Sequence, residues 1–135
     1  MIDKDLIEAK FDIIEDDLKF LENYKGKELK EYRDIQAVKY SLFEITEACI
    51  DIANHIISAK GFERAEEYSR MFTILIENKV ISETLGKRLA EMAKFRNLLV
   101  HRYAGIKVEH LKEIIKNSLI DVRMFIKEIK SYIER

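Results

Sequence analysis

Within the stretch KFRNLLVHRY, residues 94–103, an arginine, an asparagine, a histidine and a tyrosine gather among leucines and a valine. Burying a guanidinium in apolar surroundings is costly unless a partner compensates, so Arg96 needs either an ion pair or a task. On a helix turning roughly 100° per residue, Arg96 falls on the same side as Leu85, Leu89, Met92, Leu99 and Tyr103, the stripe that should face a core. Asn97 and His101, four apart, are neighbours on an adjacent face. Histidine changes protonation near neutral pH, and beside a fixed cation it forms a pairing suited to phosphodiester chemistry. The imidazole would move a proton while the guanidinium stabilised the charge developing around phosphorus. This chemistry requires no metal and no cofactor, and His101 lacks an HExxH-type companion, since His55 and His110 fall on other helices. The same spacing also fits a structural arginine paired with Glu47 or Asp51 across helices, with His101 a satisfied histidine at a helix end.

The elements that must position these groups are all helical. The chain has no proline and only four glycines, so turn punctuation is sparse and helix formers dominate. Periodicity predicts five helices, over about 4–23, 28–60, 63–77, 83–105 and 108–133, with Gly61 as a left-handed cap and Ser82 as an N-cap. No strand-like alternation, repeat or linker interrupts them. The expected architecture is an all-α antiparallel bundle of four to five helices spanning 1–135 as one domain. The second helix carries a continuous apolar seam through Ile35, Val38, Leu42, Ile45, Cys49, Ile52 and Ile56, which suits a central helix. Its remaining polar strip is Glu44, Glu47, Asp51, Asn54, His55 and Ser58. Asp51 and His55 are spaced for an intrahelical pair, and His110 is expected to be exposed and without a role.

Composition narrows the function classes. Apolar residues make up 47% and charged residues 36% of 135, as in a soluble globular protein. Neither a signal peptide nor a membrane span is expected, and a cytoplasmic location follows by default. Cys49, the single cysteine, is expected to be a small buried hydrophobe. Net charge is −1, yet it is unevenly spread: residues 1–34 hold seven basic and eleven acidic side chains, whereas residues 79–112 hold eight cations against three carboxylates. The positive segment contains Arg96 and His101 and suits an anionic ligand.

The string RNLLVHRY resembles the RxxxxHxY signature of the HEPN superfamily, in its HepT-like toxin branch, at Arg96, His101 and Tyr103. EACIDIANHIIS on the second helix and the succession of helix lengths are similar to that branch as well. The resemblance implies a helical bundle that dimerises, with the motif helices of two chains beside a shared cleft. It implies a metal-independent endoribonuclease in which a ribose 2′-hydroxyl attacks the adjacent phosphate. It also implies a toxin neutralised by an MntA-like minimal nucleotidyltransferase that transfers AMP to the motif tyrosine. Carried onto this chain, His101 is the general acid or base and Arg96 the phosphate and transition-state ligand. Asn97 orients His101 or a phosphate oxygen, Glu47 and Asp51 hold Arg96 and tune His101, and Tyr103 accepts AMP. Arg102, Lys94 and Lys107 would supply local positive potential for RNA. The alternatives are a non-catalytic HEPN module that binds a nucleotide or a nucleotidyltransferase, and a purely structural helical dimer.

Overall fold

The computed structural model describes residues 1–101 and 105–135, and these form six helices and no strand. They are α1 (Lys4–Glu22), α2 (Tyr32–Lys60), α3 (Tyr68–Glu77), α4 (Glu83–Val100), α5 (Val108–Asn117) and α6 (Leu119–Ile133). Hydrogen bonds between elements fix how they run. Between α1 and α2, Asp3 meets His55, Lys10 meets Asp51, Asp17 meets Ser41 and Tyr24 meets Asp34. One number rises as the other falls, so the two helices are antiparallel. None of the described helices is long and apolar enough to cross a membrane.

The centre of the bundle is α2, packed against α1, α3, α4 and α5. Its predicted seam is buried at Val38, Leu42, Ile45, Cys49, Ile52 and Ile56. Burial pushes the Cys49 thiol well above its ordinary pKa, consistent with a small apolar filler. Gly61 closes α2 in the left-handed conformation (φ 68°), and the Phe62 N–H donates back to the Ile57 carbonyl. Ser82 caps α4 by accepting from the Leu85 N–H.

Helices α3 and α4 approach closely because Gly86 lies against the Ile76 side chain, where a Cβ would collide. At the other end of the pair, the start of α3 lies alongside the end of α4.

Several boundaries differ from expectation, for physical reasons. The segment before α2 does not coil until Tyr32, because Leu29 is drawn into the core from a non-helical stretch. After Gly61 the chain crosses to α3 through a non-helical stretch and the helix starts at Tyr68, not near 63. The expected last helix is two helices, broken at Ser118 (φ −105°, ψ −14°). The break lets one apolar stripe serve two neighbours, α5 against α2 and α6 against α4. The Asp51–His55 pair does not form: Asp51 pairs with Lys10 at 2.9 Å, while His55 Nε2 accepts the Asp3 N–H at 2.8 Å. His55 thus anchors the residue whose own carboxylate caps α1.

Candidate active site

Arg96 lies on the core-facing stripe of α4, flanked by buried Leu85, Leu89 and Ala93, with 19% of its side chain exposed. Its partner is on α2: the Arg96 Nε–H donates to Glu47 Oε1 at 2.6 Å. Charge-assisted bonds of this kind are short and strong. Two rings complete the surroundings. The guanidinium carbon lies 4.9 Å from the Tyr68 ring centre and 5.7 Å from that of Phe43. Both fall within the ~6 Å range in which an aromatic face attracts a cation. Glu47 and Phe43 come from α2 and Tyr68 from α3, so three helices converge on one side chain.

The terminal amino groups of Arg96 make no hydrogen bond with any described residue. A planar guanidinium held at Nε keeps that edge in the fork geometry that matches two phosphate oxygens. The pocket therefore holds a permanent cation whose terminal amino groups bond to no other described residue.

His101 is exposed and forms the C-cap of α4, its N–H donating to the Asn97 carbonyl at 3.0 Å. The helix ends at Val100, short of the expected 105, because His101 leaves helical geometry at ψ 87°. Asn97 is exposed one turn earlier. Lys94 is exposed and paired with Glu91 at 3.1 Å, a surface contact weak enough to be traded for another anion. Lys107 is exposed at the N-cap of α5. Arg102 and Tyr103 lie outside the described residues.

Of the two carboxylates expected to hold Arg96, the structure gives it Glu47 and gives Asp51 to Lys10 of α1. One turn along α2 separates the two acids, and α1 captures the second. A depression of about 270 Å³ lies over this stretch, lined by Glu44, Glu47, Asp51 and Lys10. Its acidic balance disfavours a polyanion, so a nucleic acid would approach from the α4 end. A cavity of about 490 Å³ lies on the other flank of α4, beside Phe95 and His110 rather than Arg96. His110 is exposed as expected, with its ring 4.8 Å from that of Phe95.

Spacing along the sequence did not reveal Phe43 or Tyr68. Phe43 reads as one more apolar residue on α2, and Tyr68 lies on a different helix from the motif. A second residue also escaped notice. Asp17, on the buried face of α1, accepts from Ser41 Oγ at 3.0 Å, while its Oδ2 has no hydrogen-bond partner among the described residues. Burial, followed by the neighbouring Glu44, lifts its pKa to about 7, against a smaller lowering effect of Ser41.

A family model described as ribonuclease HepT-like matches residues 10–129 of the chain. The mRNA nuclease HepT of Shewanella oneidensis is 32% identical over 107 residues, covering 78% of this chain and 80% of that protein. The tRNA nuclease HepT of Aphanizomenon flos-aquae is 26% identical over 95% of this chain and 90% of its own. Among solved structures, the tri-AMPylated HEPN toxin of S. oneidensis, in complex with its MNT antitoxin, superposes with a TM-score of 0.88. It is 28% identical and covers 94% of this chain and 98% of that one.

Proposed function

Since the chain belongs to the ribonuclease HepT-like family, we propose that it is an endoribonuclease toxin, neutralised when a partner nucleotidyltransferase antitoxin transfers AMP to Tyr103. The observation that carries this reading is the Arg96 guanidinium, held at Nε by Glu47 and bonded at its terminal amino groups to no described residue, five residues before an exposed histidine.

In the proposed reaction Arg96 binds the scissile phosphate and stabilises the negative charge of its transition state. A 2′-hydroxyl attacks phosphorus, its proton passes to a base and the departing 5′-oxygen takes one up. His101 serves one of these proton transfers, and neither step requires a metal. Asn97 orients the imidazole or a phosphate oxygen. Asp51 supports the site indirectly, by fixing α1 against the face of α2 that carries Glu47. Two copies of the chain pair so that both motif helices face one cleft, where Arg102, Lys94 and Lys107 attract the RNA backbone. AMP on Tyr103 places added phosphate and bulk at that cleft, which blocks RNA. The protein works in the cytoplasm.

The test is cleavage of total RNA by purified protein in EDTA. Wild type should cut, and Arg96→Ala and His101→Ala should each lose activity by roughly 10²-fold or more. Cleavage by both variants at the wild-type rate would sink the assignment. Intact mass after co-expression with the antitoxin should show added AMP that Tyr103→Phe lacks.

A further inference from the structure

We propose that Tyr68 is a positioning residue for the reaction: with Phe43 it clamps the Arg96 guanidinium so that only the terminal amino edge is offered to phosphate. This inference rests on the role given to Arg96 above and adds to it a part contributed by α3.

Arginine has a long side chain with many rotamers, and a free one must be ordered each time a phosphate binds. Here the ordering is done by the fold. Glu47 fixes the Nε end at 2.6 Å and the Tyr68 ring lies 4.9 Å from the guanidinium carbon. Phe43, one turn before Glu47 on the same helix, adds a second ring at 5.7 Å. Hydrogen bond and rings constrain different motions. The bond at Nε fixes where the group sits along α4, and the rings restrain its tilt. A group so restrained meets the phosphate with little reorganisation, the condition under which a fixed cation accelerates a reaction most.

Tyr68 is not needed merely to fill the core. It is 38% exposed, so removing its ring takes little apolar surface out of the packed interior. It sits at the first position of α3, the helix packed beside α4. The aromatic face is the property in use, and the hydroxyl is dispensable.

The experiment compares Tyr68→Leu, Tyr68→Phe and Arg96→Ala in cleavage of a labelled mixed-sequence single-stranded RNA and of total tRNA. Unfolding midpoints are measured alongside. Tyr68→Leu should lower kcat roughly tenfold, with a smaller change in KM and the midpoint nearly unchanged. Tyr68→Phe should recover the rate to within about threefold of wild type, since the ring face survives. In ¹⁵N spectra the Arg96 Nε–H should exchange slowly in wild type and Tyr68→Phe, and faster in Tyr68→Leu. Should Tyr68→Leu unfold, Tyr68→Met removes the ring with a more adaptable side chain.

Wild-type kcat in Tyr68→Leu, with Arg96→Ala inactive, would overturn the clamp and leave the Arg96 assignment standing. Tyr68→Phe as slow as Tyr68→Leu would also overturn it, by tracing the effect to the hydroxyl. Wild-type cleavage by Arg96→Ala would instead bring down the site itself, and the clamp with it.

Discussion

Asp17 and Arg96 both stand on helix faces that otherwise point inward, and the bundle treats them in opposite ways. Arg96 receives a carboxylate, two aromatic rings and a path to solvent. Asp17 is 8% exposed, receives one hydroxyl and keeps an oxygen with no hydrogen-bond partner among the described residues. A guanidinium cannot shed its charge, so the fold must compensate it. A carboxyl can, and with its pKa lifted to about 7 the fold leaves it partly neutral. The difference separates a charge maintained by compensation from a charge suppressed by packing.

Replacing the maintained charge should show the largest effect. Arg96→Met keeps length and apolar volume while removing the cation, and should reduce RNA cleavage by about 10²-fold or more. Its unfolding midpoint should fall by only a few degrees, because Glu47 is 32% exposed and can be rehydrated. A collapse of the midpoint along with the activity would make Arg96 a structural residue.

The suppressed charge should respond through stability. The folded pKa of Asp17 lies above its ordinary value of 3.8, so its stabilising contribution is complete below about pH 4 and is lost as pH rises through about 7. Asp17→Asn removes that loss. The variant should gain about 2–4 kcal/mol over wild type at pH 8, and the gain should shrink as pH approaches 4. Urea unfolding at several pH values measures it, and a gain independent of pH would contradict the raised pKa.

A finer probe keeps the charge and changes its shape. Arg96→Lys retains a cation but loses the planar fork and the ring stacking, and should cut roughly tenfold more slowly. The smallest effect belongs to Lys94→Ala, which should change the rate by less than about threefold. It should also flatten the salt dependence of RNA binding by about one unit of log–log slope.

These contrasts were unevenly legible in the sequence. Arg96 stood out because helical periodicity alone puts it among leucines, and Glu47 was legible as one of the few polar residues on an apolar helix. Asp51 was assigned to the wrong cation because a choice between α1 and α4 depends on interhelical packing that spacing does not encode. Tyr68 escaped for the same reason. The break at Ser118 has neither glycine nor proline to announce it, and arises because one stripe must pack on two helices. Asp17 was masked by its acidic neighbours, Asp12, Glu15 and Asp16, which made α1 look uniformly solvated there.

The single-atom attachment of Arg96 to Glu47 bears on how such a site turns over. A cation locked fork-to-fork with its own carboxylate would have to surrender that embrace before greeting each incoming strand, then restore it on departure. In the proposed reaction, tethering at Nε would let Arg96 exchange guests at its outer edge while its mooring stays intact, so arrival and release of a strand would leave the scaffold undisturbed.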